Sequence, residues 1–269
     1  MMTREQIENC VQNLAHAEKA RIQTGLISLA NPSMTMDDAY AIQAEWMRQK
    51  YAQGRQVIGR KIGLTSKAMQ SALNIDIPDS GILLDDMMFE DGGVVPAGRF
   101  IQPRVEAEIA FIMKDGLRGP NVTAIDVLNA TAFLQPALEI LDTRIVRVDY
   151  QTRQTRNVFD TIADNAANAG IVLGGRCVKP LDVDMRWIGA IVSRNGAVEE
   201  TGLGAGVLNN PATAVAWLAN RLAQVGEAIL PEEIILSGSF IRPIEALPGS
   251  TFFADYGSLG TVSCHFQSV

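Results

Sequence analysis

The chain has 269 residues, enough for one large or two small domains with a sizeable core, and a formal charge of -7 from 23 basic and 30 acidic side chains. Only His16 and His265 represent histidine, and Cys10, Cys177 and Cys264 are isolated, which excludes a histidine-rich zinc site, a zinc ribbon and a disulfide framework and suits a reducing cytosol. An acidic balance with 6% aromatics leaves no basic, ring-interleaved surface for nucleic acid or anionic membrane, and the start lacks a signal-peptide core, so the expectation is a cytoplasmic protein with no membrane span.

The first segment is predicted as a helix, because Ile7, Val11, Leu14 and Ala17 recur at helical spacing behind a Thr3/Gln6 capping box, with Gly25 as its end. A second helix is predicted from Met36 to Tyr51, with Thr35 as N-cap, Ala39, Ile42 and Trp46 buried, and Gly54 as the stop. After Gly54 the texture changes to short strands and turns through Gly98, starting with VIGRKIGL. Strands are then expected at Val105 to Met113 and Phe133 to Leu141, with a short helix from Thr123 to Ala130 between them. The segment from Thr143 to Asn157 is polar and carries Arg144, Arg147, Arg153 and Arg156; a connection that long is usually functional or mobile.

Further strands are expected at Ala169 to Leu173 and at Arg186 to Arg194, the latter turning at Asn195-Gly196 into Ala197 to Thr201. Asn210-Pro211 opens a helix to about Val225, and three strands close the chain at Glu233 to Leu236, Thr251 to Ala254 and Thr261 to Phe266. The organisation expected is a helical N-terminal arm, residues 1–55, on a β-rich catalytic domain, residues 56–269, together one α+β unit.

The most informative letters are RVEAEIAFIM. Side chains alternate along a strand, so Glu106 and Glu108 share a face with Ala110 and Ile112, while Val105, Ala107, Ile109 and Phe111 line the other. A solvent-facing edge strand would give the same letters. Glu139 in PALEILD sits in a run where neither alternation phase is polar, and three glutamates on two core-like strands make an oxygen-rich cage suited to a hard cation such as Mg²⁺. Asp142, three residues beyond Glu139, reads first as a solvated turn acid or else as a partner that supports the glutamates. Lys61, flanked by apolar residues beside Arg60, reads first as a snorkelling lysine or else as a functional amine. Asp79 in DIPDSG reads first as an Asx-turn residue or else as a catalytic acid or base. Gly174-Gly175 and SGSF, which contains Ser239, are breaks where backbone can approach a ligand. There is no phosphate-binding Gly-rich fingerprint and no Gly-x-Ser-x-Gly elbow.

In order along the chain, RKIGLTSKAMQ, RVEAEIAF, GPN, QPALEILDTR, VFDTIADNAANAGIVLGG, NNPATAVAWLANRLA and SGSFIRP resemble the hydratase and decarboxylase branch of the fumarylacetoacetate hydrolase superfamily. The resemblance implies a β-rich mixed-sheet domain with a helical N-terminal region, homo-oligomeric assembly, and Mg²⁺, or Mn²⁺ in its place, held by Glu106, Glu108 and Glu139. It also implies catalytic roles for Lys61 and Asp79. The activity it implies is hydration of a small 2-oxo-enedioate in aromatic meta-cleavage catabolism, after isomerisation to the conjugated enone. The distal carboxylate then needs a cation, for which the Arg144 to Arg156 segment supplies several candidates, Arg156 foremost, as a lid over the substrate or else a solvated loop at an oligomer contact, with Ser239 as a second substrate contact. The rivals are hydration of a shorter dienoate, decarboxylation of a 2-oxo-3-enedioate and a non-catalytic partner subunit. Carbon-carbon hydrolysis through a His-Glu pair is disfavoured by the two remote histidines.

Overall fold

In the computed structural model, which describes residues 1–72, 75 and 77–268, three helices precede the sheets: α1 (Arg4–Ala20), the single turn α2 (Ile27–Ala30) and α3 (Met36–Ala52). Thr3 and Thr35 cap α1 and α3, each with a reciprocal bond from the third helical residue, Gln6 and Asp38. The first helix stops earlier than Gly25, at Arg21, whose left-handed backbone makes the C-cap. Val11, Leu14, Ile42, Trp46 and Met47 pack together and onto Leu84, Met87, Ile145 and Ile162, which ties the arm to the rest of the chain.

The strands and remaining helices follow as β1 (Val57–Gly63), α4 (Lys67–Ala72), β2 (Asp79–Leu84), β3 (Met88–Phe89), β4 (Gly93–Val95), β5 (Arg104–Met113), α5 (Ala124–Ala130) and β6 (Thr131–Leu141). Next come α6 (Val158–Ala163), β7 (Asn168–Leu173), β8 (Gly189–Arg194), β9 (Ala197–Leu203) and α7 (Pro211–Ala223). The chain closes with β10 (Ile234–Leu236), β11 (Ile244–Glu245), β12 (Thr251–Asp255) and β13 (Thr261–Phe266). The result is the expected mixed α+β fold. The larger sheet runs β2-β1-β10-β5-β6-β7-β3, with β11 also pairing β5; the smaller runs β4-β13-β12-β8-β9. Parallel pairing occurs at β1/β10, β3/β7 and β4/β13, and the other ladders are antiparallel.

One face of β5, formed by Val105, Ala107, Ile109 and Phe111, enters the main core with Phe252, Val262 and Phe266 of the smaller sheet and Val215, Leu218 and Leu222 of α7. Its other face carries Glu106 and Glu108 and then Ala110, which packs with Ala137, Ile171 and Leu236. Because β5 lies between β10 and β6, the edge-strand alternative is overturned: its glutamates stand in the sheet interior.

Local readings differ at a few places. The stretch expected as a strand from Arg186 begins instead with a 3₁₀ turn at 185–187, and β8 starts at Gly189. Asn195 and Gly196 both have positive φ, 54° and 83°, as the two-residue hairpin turn requires. No helix among the described residues is long and apolar enough to cross a membrane.

A carboxylate cluster beside an arginine-lined cavity

Register brings the three glutamates together. Glu106 pairs directly with Glu139 and Glu108 with Ala137 across β5 and β6, so the carboxylates stand on one face as opposite and diagonal neighbours. One oxygen from each lies within 4.8 Å of the other two. Like charges so placed repel, and Glu108 and Glu139 are almost fully buried. Burial and the neighbouring Glu139 push the Glu106 carboxyl up to about 8, and burial raises Glu108 well above its ordinary range. Glu139 is raised by burial too, although Lys61 opposes it.

Lys61 does not snorkel; it is 3% exposed. It pairs with Leu236 on β10, which pairs with Ala110, and that register puts the lysine on the glutamate face of the sheet. Its Nζ lies 3.3 Å from Oε1 of Glu139 and donates to the Ala166 carbonyl at 3.2 Å. Burial disfavours its charge, but the surrounding carboxylates outweigh that and raise its pKa. Arg60 leaves by the opposite face to meet Glu227 and Glu233.

The Ala166 carbonyl is presented by an unusual turn. Asn165, Ala166 and Ala167 all have left-handed φ, 51°, 52° and 58°, in a run without glycine, at a cost of roughly 1–2 kcal/mol per residue. Asn165 holds the turn against β2 by accepting from Ile82 N at 2.8 Å and donating to Ile82 O at 2.9 Å.

Asp79 is not a turn residue at the surface. It is buried at the start of β2, opposite Gly63, with Oδ1 lacking a hydrogen-bond partner, and burial raises its pKa. A Cβ on Gly63 would stand 2.2 Å from that oxygen and 3.1 Å from Lys61 Nζ, so the glycine keeps the space between acid and amine open. Asp142, expected in solvent, is also buried, and its two oxygens accept from the backbone N–H groups of Ile101 and Gln102.

These residues open into a cavity of about 510 Å³ lined by Lys61, Asp79, Glu106, Ser239 and four arginines, Arg104, Arg147, Arg156 and Arg242. Ser239 reaches the cavity wall, but its hydroxyl serves its own turn, donating to Ile241 O at 2.8 Å. The preceding Gly238 N–H donates to Glu108 Oε2 at 2.7 Å and fixes that carboxylate. Arg156 lines the cavity and donates to Thr143 Oγ1. Gly174 and Gly175 pack against Val262 and Leu259, away from the cavity. His16 and His265 are not among the cavity's lining residues.

The cluster fits a divalent cation. Both oxygens of Glu139 are buried without a hydrogen-bond partner, and the three glutamates, once ionised, leave two negative charges beyond the one ammonium for a cation to balance. An all-oxygen set without imidazole or thiolate selects a hard ion.

The chain matches no family model. It is 55% identical to the 2-oxo-hept-4-ene-1,7-dioate hydratase of Escherichia coli over 95% of this chain and 96% of that protein. It is 40% identical to the 2-hydroxyhexa-2,4-dienoate hydratase of Comamonas testosteroni, over 99% of both chains. The structure of 4-oxalocrotonate decarboxylase from Pseudomonas putida G7, complexed with magnesium and adipate, superposes with a TM-score of 0.93 at 35% identity, covering 99% of each chain. The chain therefore belongs to the hydratase and decarboxylase branch of the fumarylacetoacetate hydrolase superfamily.

Proposed function

We propose that this chain is a Mg²⁺-dependent hydratase that adds water to 2-oxohept-4-ene-1,7-dioate, through the conjugated enone, to give 4-hydroxy-2-oxoheptane-1,7-dioate. The observation that carries the chemistry is the buried Glu106, Glu108 and Glu139 cluster, which reaches a cationic cavity through Glu106; the likeness to the E. coli hydratase over nearly the whole chain supports the substrate. Mn²⁺ is expected to substitute in the same oxygen set.

A cation held by the three glutamates supplies Lewis-acid stabilisation of the charge that develops on a 2-oxo acid's ketone oxygen as a neighbouring carbon loses its proton. The rest falls to the protein's own groups. Asp79 Oδ1 has no hydrogen-bond partner and lines the cavity, which suits it to take that proton and return it at another carbon of the chain. Lys61, held between Glu139 and the Ala166 carbonyl, keeps an ammonium aimed at the same space, where it favours an anionic substrate; in the hydration step it gives a proton to C3 as water's hydroxyl adds at C4, and water's remaining proton restores the ammonium. Arg156 is assigned to the substrate's far end, and the turn holding Ser239 forms one wall.

The test is a steady-state comparison of the seven-carbon dioate with 2-hydroxypenta-2,4-dienoate, with Mg²⁺ and with EDTA. Preference for the dioate and loss of activity in EDTA are expected; preference for the shorter compound overturns the substrate, and EDTA-resistant turnover overturns the metal. Enolate stabilisation serves decarboxylation equally, and the likeness to the P. putida decarboxylase keeps that second reading open. Release of CO₂ from a 2-oxo-3-enedioate would favour it.

A further inference from the structure

The arginines on the cavity wall are not equivalent. Arg242 is paired with Glu200 at 2.6 Å, whereas Arg104, Arg147 and Arg156 have no carboxylate within 4.0 Å among the described residues. Arg147 and Arg156 are cross-strand neighbours at the base of an excursion: Arg156 N–H donates to the Arg147 carbonyl at 2.8 Å, and Val148 and Thr155 form an antiparallel bridge just beyond. Two like charges opposite each other are destabilising unless an anion joins them. Asp142, one of the acids that act on Arg147, already gives both oxygens to backbone N–H groups. Burial and its neighbours Arg104 and Arg156 push Arg147 down to about 10, against the weaker opposing pull of Glu245 and Asp142.

Arg104 belongs to the same strand as two of the three glutamates and shares their face, since Arg104, Glu106 and Glu108 have the same parity on β5. Two residues along an extended strand span about 6.8 Å. An extended seven-carbon chain spans roughly 7.5 Å from end to end at ordinary carbon-carbon bond lengths. The backbone step from Glu106 to Arg104 is of that order, which puts the arginine one strand repeat from the cluster on the same face.

We infer that Arg104 and Arg147, together with Arg156, form a dedicated subsite for the second carboxylate of the substrate, and that Arg104, fixed to the cluster strand, sets the chain length accepted. This rests on the reaction proposed above only for the identity of the substrate; the binding of a dicarboxylate to the three arginines stands separately. The subsite makes the enzyme selective for diacids over monocarboxylates of the same reactive end. Arg153 takes no part, because it lies in the exposed tip of the excursion.

The experiment compares the wild type with Arg104→Gln and Arg147→Gln in two assays. In the first, the ratio of kcat/KM for the seven-carbon dioate to that for 2-hydroxypenta-2,4-dienoate should fall about 10- to 100-fold in each variant, the usual worth of a hydrogen bond to a charged group. In the second, calorimetric titration with adipate in the presence of Mg²⁺ should show an affinity loss of about the same size, while pentanoate, lacking the second carboxylate, binds variant and wild type alike. An unchanged ratio and unchanged adipate affinity overturn the subsite. Equal losses on both substrates, accompanied by weaker Mg²⁺ binding in Arg104→Gln, overturn it in favour of a role for Arg104 in holding the cluster. A wild type that binds adipate through these arginines but turns over neither substrate would defeat the proposed reaction and leave the subsite standing. If Arg104→Gln does not fold, Arg147→Gln, on a separate segment, decides alone.

Discussion

Lys61 Nζ and Glu139 Oε1 are 3.3 Å apart, both buried, in a cluster where the lysine is, among the described residues, the one cation within ion-pair distance of the glutamates. The ammonium therefore competes with a bound divalent ion for the same carboxylate charge. Lys61→Met should lower kcat by about 10²- to 10⁴-fold, the usual range for a positioned proton-transfer group, while Mg²⁺ binding is retained or tightened. Calorimetric Mg²⁺ titration beside steady-state kinetics checks both halves. Loss of metal affinity along with activity would show that the lysine holds the cluster together rather than serving the reaction.

Metal binding and pH are linked through Glu106, whose carboxyl is pushed up to about 8 by burial and by Glu139. Between the ordinary carboxylate range and that value the metal-free fold binds a proton that the unfolded chain does not, so stability falls as pH rises through the window. A cation displaces the proton, and its affinity should tighten by roughly tenfold per pH unit up to about pH 8 if one proton is released. The rise in Tm caused by Mg²⁺ should accordingly grow from pH 6 to pH 8.5. Glu106→Gln should abolish that rise and leave the metal-free protein at least as stable as the wild type at pH 8.5. A Mg²⁺ effect on Tm independent of pH would remove the linkage.

Much of this site can be read from letters, and the part that cannot has a common cause. The parity of Glu106 and Glu108 follows from the two-residue period of a strand, and the scarcity of His and Cys already points to a hard cation. Arg104 shares that parity too, but a half-buried cation at the first position of a strand looks no different in sequence from an ordinary surface arginine. Lys61 and Asp79 read as surface residues because their surroundings are supplied by β6, β10 and the turn after α6, which local spacing does not reveal. The left-handed run Asn165 to Ala167 has no glycine to announce it, and the partner that stabilises it, Ile82, is remote in sequence. Asp142 looks like a turn acid until the chain at Ile101 and Gln102 returns to its oxygens.

Two glycines on β1 separate fold from chemistry. A Cβ at Gly59 would meet the Ile234 carbonyl oxygen at 1.9 Å, a backbone atom in the β1/β10 ladder that has nowhere to go. Gly59→Ala should cost more than about 4 kcal/mol or prevent folding. A Cβ at Gly63 instead meets the end of the Asp79 side chain, which can rotate away. Gly63→Ala should keep Tm within a few degrees and lower kcat by about 10²-fold or more through displacement of Asp79. Thermal denaturation and kinetics on the two purified variants distinguish these outcomes; full activity in Gly63→Ala would remove Asp79 from the proton-transfer role.

The segment that carries Arg147 and Arg156 starts from a buried ion pair. Arg144 donates through Nε to Asp164 Oδ1 and through Nη2 to Asp164 O at 2.8 Å, its guanidinium lies 5.2 Å from the Trp46 ring centroid, and its backbone N–H donates to Asp164 Oδ2 at 2.9 Å. Arm helix, polar segment and the turn before β7 thus meet at one guanidinium that is 2% exposed. Removing one partner leaves a buried charge unmatched, so Asp164→Ala should cost about 3–5 kcal/mol. Adding Arg144→Met to that variant should recover a good part of the loss, because an apolar side chain of similar length replaces the stranded cation. Urea denaturation of the two single variants and the double variant measures the coupling. A double variant no more stable than Asp164→Ala would mean that packing of Arg144 on Trp46, not its charge balance, is what the site depends on.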